Sequence, residues 1–468
     1  MLERYIDDLI ALAEYAWSHP EPGFREHECS RSQADYLREQ GFAVTENVAD
    51  TVTGYMAEWG HGRPVIAFLG EFDALYGLEQ RADCAEPSPE PGQRMGQGCG
   101  HHLLGVGAIA AGLLLRDILK ERKRPGTVRV YGCPAEESGS GKAYMARDGW
   151  FDDCDAALTW HPANFHMVAR GSSQSCIQCY FRFRGTAAHA AGAPHLGRSA
   201  LDAVELMNVG VNYLREHMED TDRVHYAVTD PGGASPNVVQ AYAESKYLIR
   251  STTNPKCEAL YERVKNVARG AALMTDTGVE IVFDEGLSNT VPNNALEAAL
   301  DRAFREVGAP EYTEADRAYA ARFKATFPLE GQLTDLPAAA LDRRGLIDNI
   351  RQSELCDRYV ETVPTDRCEM GSTDVGDVSW VVPTATANVN CYSYGAGCHS
   401  WQWVAQGKSD IAMKGMLTAG RVLARAAELL LDEPDILKQA RDELDARLGG
   451  EKYKSLIPKE VKPHWFDD

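Results

Sequence analysis

The chain has 468 residues, with 69 acidic and 48 basic side chains and a net charge of −21 at pH 7. This length exceeds what one hydrophobic core usually supports, so roughly two or three domains are expected. The acidic balance argues against nucleic acid or an anionic membrane as a partner, since both attract basic surfaces. The twelve cysteines are scattered along the chain, which favours reduced thiols and a cytoplasmic location over a disulfide framework.

The N-terminal segment predicts an amphipathic helix and not a signal peptide. Acidic residues are interspersed with apolar residues at helical spacing, which are Leu2, Ile6, Leu9, Ala13 and Trp17. Along the whole chain, no apolar run reaches about 18 residues without a charge, so we expect no membrane-spanning segment.

Buried strands alternate with helices up to about residue 161. Apolar runs predict strands at 65–69, at 127–133 and just before His161, with a long buried helix at 103–121 and a further helix around 142–145. Alternation of this kind predicts an α/β domain built on a doubly wound, mostly parallel sheet.

The pattern changes near residue 172. A strand at 176–185 alternates as in an antiparallel sheet, and helix, two strands, helix and a last strand follow it. The order βαββαβ is that of a ferredoxin-like α+β sandwich. We therefore predict that 174–290 is a small domain inserted into a larger one formed by 1–173 and 291–468.

The rest of the chain returns to the larger domain. A helix is expected after Pro292, and 309–366 predicts helices and loops to which we assign no role. A strand and a glycine-containing loop then lead to His399, and two amphipathic helices occupy 410 to about 449.

Metal-type side chains occur in four short segments beside the predicted strands. They are Cys99 and His101 in GCGHH, Glu136 and Glu137 in PAEES, His161 in WHP, and His399 in GCHSW. Doubly wound sheets bind ligands at the carboxyl ends of their strands, so we expect the four segments to converge. Thiolate and imidazole suit Zn²⁺ and other borderline divalent ions. A carboxylate next to a ligand carboxylate then predicts metal-assisted hydrolysis.

Each segment also has an ordinary structural interpretation. Cys99 could be a buried thiol, a lone histidine is often structural, and an acidic pair suits the N-terminus of a helix. The run SGSGK at 138–142 resembles a phosphate loop, but Glu136 holds its first glycine position and Ala143 replaces Ser or Thr. No nucleophile elbow with downstream partners is evident. The shared placement beside strand ends favours the metal site.

Several motifs between residues 70 and 400 resemble one known family. They are GEFDALYG, GCGHHLLG, PAEESGSGKAYM, TWHP, FRGTAAHAAGAP, SPNVV, GSTDVGDVSW and GCHSWQ. They resemble the dimetal aminoacylase and carboxypeptidase superfamily, in the amidohydrolase branch that holds hippurate hydrolase and indoleacetyl-amino-acid hydrolases. The resemblance implies an enzyme that cleaves the amide bond of an N-acyl or N-aroyl amino acid, of the p-aminobenzoyl-glutamate type, through a metal-activated water.

The resemblance also implies roles for individual residues. Two divalent ions, zinc or manganese before cobalt or nickel, would be held by Cys99, His101, Glu137, His161 and His399. Glu136 would be the general base. Asp73 would orient a ligand histidine without touching the metal itself.

The inserted domain would be a lid and dimerisation module. His189 would stabilise the oxyanion in the site of a partner chain. Asn237 and Arg250 would hold the terminal groups of a small-molecule amide substrate, since an Arg fork binds a carboxylate through two hydrogen bonds. A homodimer through this domain is expected, and a heteromer with a homologous chain is the alternative.

Other functions and two departures remain open. A dipeptidase or carboxypeptidase acting on small peptides would use the same machinery, and a regulatory subunit would pair with a catalytic homologue. His102 stands where Asp or Asn is usual, and Glu71 stands where Asp or His is usual. His102 could bind metal, tune the site or contact substrate, and Glu71 could support the ligands.

Overall fold

Two β-sheets of different type organise the chain, whose computed structural model describes residues 1–328, 333 and 336–465. The strands in this part of the chain are β1 Ala43–Glu46, β2 Tyr55–His61, β3 Val65–Glu71, β4 Leu75–Tyr76, β5 Met95–Gly96, β6 Gly126–Cys133, β7 Ala156–Ala163, β8 Met167–Val168, β9 Ser175–Arg184, β10 Arg223–Asp230, β11 Tyr242–Ser251, β12 Gly278–Leu287 and β13 Thr384–Asn390.

Helices cover both sheets and connect their strands. The α-helices in the described residues are α1 Ile6–Ser18, α2 His27–Glu39, α3 His101–Arg122, α4 Gly141–Arg147, α5 Ala200–Leu214, α6 Asn254–Thr275, α7 Asn294–Val307, α8 Glu314–Lys324, α9 Arg343–Gln352, α10 Val375–Ser379, α11 Trp401–Gln406, α12 Asp410–Asp432 and α13 Asp435–Leu448.

The larger sheet has the strand order β1-β2-β6-β3-β7-β13-β8. Its centre, β6-β3-β7-β13, is parallel, whereas the pairs β1–β2, β2–β6 and β13–β8 are antiparallel. The prediction of a doubly wound, mostly parallel sheet is therefore confirmed.

Both faces of this sheet are buried, and β3 shows why. Ile66 and Phe68 point to the cluster that contains α3 and α12, while Ala67 and Leu69 point to a second cluster with α4 and α10. Successive side chains of a strand alternate between faces, so an uninterrupted apolar run supplies both layers. A parallel sheet of this kind is stable when helices cover both of its faces.

Helix α3 lies unusually close to the sheet because of its glycines. A Cβ added at Gly105 would lie 2.7 Å from the carbonyl oxygen of Glu71, and one at Gly107 would lie 2.5 Å from Nε1 of Trp160. By length and composition α3 could cross a membrane, but its apolar window is wholly buried in the protein, as in any central core helix. The close contact sets the first turn of α3 against the end of β3.

The smaller sheet has the order β10-β11-β9-β12, and all of its pairs are antiparallel. Helices α5 and α6 pack on it around Phe181, Val204 and Val264. This is the predicted ferredoxin-like βαββαβ arrangement. β9 begins at Ser175 and β12 ends at Leu287, inside the segment 174–290, whose limits as a domain stay a prediction.

The segment 309–366, to which the sequence assigned no role, contributes helices to the larger unit. α8 begins with a capping box, in which the Thr313 hydroxyl accepts from the backbone N–H of Asp316 and the Asp316 carboxylate accepts from the backbone N–H of Thr313. Lys414 of α12 binds the same carboxylate at 2.6 Å, which ties α8 to the core. Residues 329–332 and 334–335 of this segment lie outside the described residues.

Gly107→Ala should lower the melting temperature, because the added methyl meets the Trp160 ring and overpacking of this kind costs about 1–3 kcal/mol. Gly270→Ala in α6 is the matched control. Nothing lies within 4 Å of its added Cβ, and alanine in a helix interior should stabilise by roughly 0.5–1 kcal/mol. Thermal unfolding followed by circular dichroism measures both, and equal shifts would contradict the close packing of α3.

Candidate metal centre and active-site cavity

The four predicted segments converge at one end of the larger sheet. They surround a cavity of about 570 Å³, and the metal-type side chains that line it are Glu71, Cys99, Glu136, Glu137, His161 and His399. His101 lies fully buried behind them at the first position of α3. One detail corrects the sequence analysis: His161 lies two residues before the end of β7 and not at its end, since Pro162 and Ala163 still pair with β13.

Three groups of side chains in the described residues could hold a metal ion. They are Cys99 with His101 and His161, Cys99 with Glu137 and His399, and Glu71 with His101 and Glu136. Within each group the candidate ligand atoms lie within 4.8 Å of one another. Cys99 belongs to the first two groups, so those two candidate positions are adjacent.

The donor atoms of the site fit a cation. The Nδ1 of His161 lies 2.7 Å from the carbonyl oxygen of Pro162, which fixes its proton there and leaves the Nε2 lone pair 3.3 Å from Sγ of Cys99. The Nε2 of His399 lies 3.1 Å from Oε1 of Glu137, an oxygen with no hydrogen-bond partner in the described part of the chain. Thiolate, imidazole and carboxylate together suit zinc and similar divalent ions.

Asp73 links two of these segments. Its Oδ1 accepts a hydrogen bond from Nδ1 of His101 at 2.7 Å, and its Oδ2 accepts from the backbone N–H of Glu137 at 2.9 Å. A carboxylate on one imidazole nitrogen directs the other nitrogen toward the metal and fixes its tautomer. These are the contacts that the predicted orienting role of Asp73 requires.

Glu136 and Glu137 occupy a turn between β6 and α4, and α4 begins only at Gly141. The acidic pair is therefore not placed by a helix N-terminus. Burial, and then the charges of Glu71 and Glu137, raise the pKa of Glu136 well above its usual range. Burial opposes ionisation of Glu137 too, but the hydrogen bond from His399 and the charge of His101 outweigh it and lower the pKa to about 2. Opposite shifts in adjacent carboxyl groups are how proton-transfer and ligand roles separate.

His102 points away from the site. It is fully buried, its Nε2 lies 2.8 Å from the carbonyl oxygen of Gly407, and burial lowers its pKa to about 3. It belongs to none of the candidate metal groups among the described residues. The geometry therefore supports neither metal binding nor substrate contact for His102, and gives it a packing role between α3 and α11.

The predicted substrate residues divide into two sets. Arg250 of β11 lines the cavity, and its buried Nε has no hydrogen-bond partner in the described residues. His189 and Asn237 do not line the cavity; they are exposed neighbours, joined by a 3.0 Å hydrogen bond from Ala190 N–H to the Asn237 carbonyl. Nδ1 of His189 accepts from the backbone N–H of Ala191 and Gly192, so its proton lies on Nε2.

Sequence reasoning missed Lys142. This lysine is fully buried, with its Nζ 2.7 Å from Oε1 of Glu71 and 2.5 Å from Oδ1 of Asp374. Its local signal was SGSGK, which resembles a phosphate loop and fails as one. Nothing in that run distinguishes a buried lysine from an exposed one, because the two carboxylates come from distant segments.

Comparison with known proteins gives the class of this protein first and its family second. The two sheets and the Cys/His/Glu cavity define a metal-binding hydrolase that acts on amide bonds. Residues 67–400 match Peptidase family M20/M25/M40, and the chain belongs to this family. It is 44% identical over 473 residues to one of the subunits of p-aminobenzoyl-glutamate hydrolase from Escherichia coli (strain K12), covering 98% of each chain. It is 27% identical to the Xaa-Arg dipeptidase of Mus musculus, over 96% of this chain and 92% of that protein.

Solved structures have the same fold. An aminobenzoyl-glutamate utilization protein from Klebsiella pneumoniae matches with a TM-score of 0.59 at 18% identity, over 91% of this chain and 96% of that one. A dinuclear metal-binding peptidase of the M20 family from Bacillus subtilis matches with a TM-score of 0.55 at 17% identity, over 92% and 99%. The family resemblance and the α/β fold are confirmed. Family membership and the ligand groups together support a centre for two divalent metal ions.

Glu285 should make the stability of the protein depend on pH. It lines the cavity, accepts from Oγ of Ser140 at 2.8 Å and from Nε2 of Gln178 at 3.1 Å, and burial raises its pKa from 4.5 to about 7. Since the folded pKa is the higher one, its contribution is complete below pH 4.5 and is lost as the pH rises through 7.

Glu285→Gln should remove this loss. Between pH 4.5 and about 8, the unfolding free energy of the variant relative to the natural protein should rise by on the order of 3 kcal/mol. Denaturant unfolding at a series of pH values measures the difference. A difference that stays constant over this range would contradict the assignment.

Proposed function

We propose that this chain is a metal-dependent amidohydrolase that cleaves the amide bond of an N-acyl or N-aroyl amino acid, of the p-aminobenzoyl-glutamate type. The observation that carries the proposal is Glu136. Its carboxyl group lines the cavity, adjoins the candidate ligand Glu137 in sequence, and has its pKa raised by burial. The 44% identity to a chain of p-aminobenzoyl-glutamate hydrolase supports the class of substrate.

Each side chain has a defined task in this reaction. Two divalent ions, zinc or manganese before cobalt or nickel, would supply Lewis-acid polarisation of the amide carbonyl and a more acidic water; their ligands would be Cys99, His101, Glu137, His161 and His399. Glu136 takes the proton of the attacking water, and its high proton affinity suits that step. The same carboxyl group then delivers the proton to the nitrogen of the leaving amine. Asp73 keeps His101 oriented throughout.

The cavity accommodates a substrate of the proposed kind. Its volume of about 570 Å³ suits a small molecule. The buried Nε of Arg250 has no partner among the described residues, so the guanidinium can meet the carboxylate of the amino acid with two parallel hydrogen bonds.

A dimer would complete the site. His189 and Asn237 are exposed on the smaller unit, and so are the apolar side chains of Tyr213, Tyr226 and Val228 on α5 and on the edge strand β10. Exposed apolar surface at a sheet edge favours an interface. In the proposed homodimer, His189 of each protomer donates from Nε2 to the oxyanion in the other cavity, and Asn237 holds the substrate beside it.

A heteromer and a cytoplasmic location also enter the proposal. The Escherichia coli relative is named as one subunit of its hydrolase. A homolog of the other named subunit, from Haemophilus influenzae, is 28% identical over 241 residues, so a related chain is the alternative partner. The described residues include all twelve cysteines and no disulfide joins any two of them, which accords with a reducing cytoplasm.

A dipeptidase is the second candidate function. The observation that favours it is the 27% identity to the Xaa-Arg dipeptidase over 96% of the chain. Acidic residues in the cavity wall, Glu297 and Glu369, would suit a basic substrate side chain, although Glu297 already binds Arg170 at 2.7 Å. A purely regulatory role is less well supported, since the base and the full ligand set are in place.

Hydrolysis by the purified chain tests the proposed function. With Mn²⁺ or Zn²⁺ added, it should release free amino acid from p-aminobenzoyl-glutamate or other N-acyl amino acids, and chelation should abolish the release. Glu136→Gln is the control variant. It should keep the metal content of the natural protein and lose at least about a hundredfold in kcat, because proton transfer is removed. Amino-acid analysis and elemental analysis measure the two quantities.

Faster turnover of dipeptides than of N-acyl amino acids would favour the second candidate. Unchanged turnover in Glu136→Gln would refute the proposed base. No hydrolysis of any substrate, with metal bound, would support a regulatory chain that needs a catalytic homologue.

The action of His189 across the dimer can be tested by complementation. His189→Ala and Glu136→Gln should each be nearly inactive alone, because one lacks the oxyanion donor and the other lacks the base. Dissociated and reassociated together, they should recover up to about a quarter of the natural activity, since half of randomly paired two-fold dimers are mixed and each has one intact site. Failure to recover activity while mixed dimers form would show that His189 does not act across the interface.

A further inference from the structure

Glu71 is the cavity residue that the ligand set of the family leaves without a role. It is the last residue of β3, only 2% exposed, and it forms a candidate ligand group with His101 and Glu136. It stands where related enzymes carry a shorter carboxylate or a histidine. Its surroundings show what each of its two oxygens does.

One oxygen of Glu71 faces a nitrogen lone pair. The Nδ1–H of His101 is used by Asp73, so in the neutral imidazole the lone pair lies on Nε2. That Nε2 lies 3.1 Å from Oε2 of Glu71, and neither atom has a hydrogen-bond partner in the described residues. Both atoms are acceptors in this state and repel one another unless a cation lies between them.

The other oxygen of Glu71 is fixed by Lys142. Nζ of Lys142 lies 2.7 Å from Oε1 of Glu71 and 2.5 Å from Oδ1 of Asp374. The backbone N–H of Lys142 donates to the other oxygen of Asp374 at 2.8 Å, so the lysine is held at both ends of the residue. A buried ammonium between two carboxylates offsets their repulsion and fixes their orientation. Glu71 is thus left with Oε2 as its one available atom, directed at His101.

We propose that Glu71 is a further ligand of the metal centre, and that Lys142 is the positioning residue that presents it. The inference rests on the proposed function in requiring a metal at this site. It adds a carboxylate to the ligand set that the family implies and assigns the buried lysine of the SGSGK run a task. Because the amide of Glu71→Gln would give its oxygen to Lys142 and its NH₂ to Nε2 of His101, that variant should block the metal position.

Cobalt binding to the purified full-length protein is the test. Metal-free protein is titrated with Co²⁺ against a chromophoric chelator, and the visible d–d absorption of the bound ion is recorded. Glu71→Gln should weaken binding of one of the two ions by at least about tenfold, and change the d–d bands, because a ligand is lost. Glu285→Gln, the same substitution at another buried glutamate of the cavity, should keep the natural affinity and spectrum.

Lys142 is tested in both backgrounds. Lys142→Met should change the cobalt spectrum when Glu71 is present and add no further change in Glu71→Gln, since a residue that acts through another is not additive with it. Glu71→Asp serves if Glu71→Gln does not fold. Its shorter side chain cannot reach Lys142 and the metal together, so it should also weaken one site.

The outcomes separate the two proposals. Two tightly bound ions with unchanged affinity and spectrum in Glu71→Gln would overturn the role of Glu71 and leave the proposed hydrolase intact. Natural protein that binds no divalent ion would overturn both. An additive effect of Lys142→Met in the Glu71→Gln background would overturn the positioning role of Lys142 alone.

Discussion

The carboxylate of Asp73 is the contact on which the site depends. It accepts one hydrogen bond from the imidazole of His101 and one from the backbone of Glu137, and so joins the end of β3, the start of α3 and the turn after β6. The approach of α3 to the sheet makes this possible, because Gly105 brings its backbone against Glu71. A larger residue there would move His101, and the ligand groups would separate.

The site has more negative than positive side chains. Glu71, Glu136, Glu137 and Asp73 lie together, and Lys142 is the cation that the described chain places among them. Carboxylates are costly to bury without a counter-charge. Divalent ions would offset that cost, so binding of metal and stability of this end of the sheet should be coupled. The raised pKa of Glu136 belongs to the same balance, and keeps one carboxyl group available for a proton.

The two units of the chain contribute different parts of the reaction. The larger sheet supplies the metal-type ligands and the proposed base, while β11 of the smaller sheet brings Arg250 to the cavity. His189 and Asn237 lie on the smaller sheet's exposed side, away from the cavity of their own chain. A single chain therefore has the groups for bond cleavage but lacks the proposed oxyanion donor, which makes assembly part of catalysis in the proposed function.

The sequence by itself determined the order of strands and helices, the inserted βαββαβ unit and the segments that carry the metal-type residues, because apolar periodicity and strand ends are local properties. It also assigned Glu136 and Glu137 to one turn, since they are neighbours in the chain. Only the tertiary structure decided that His102 turns away toward Gly407, and that Lys142 lies buried between Glu71 and Asp374. It also showed that His189 does not reach the cavity of its own chain. These depend on contacts between residues far apart in sequence, and the direction of a side chain is set by the partners that folding brings to it.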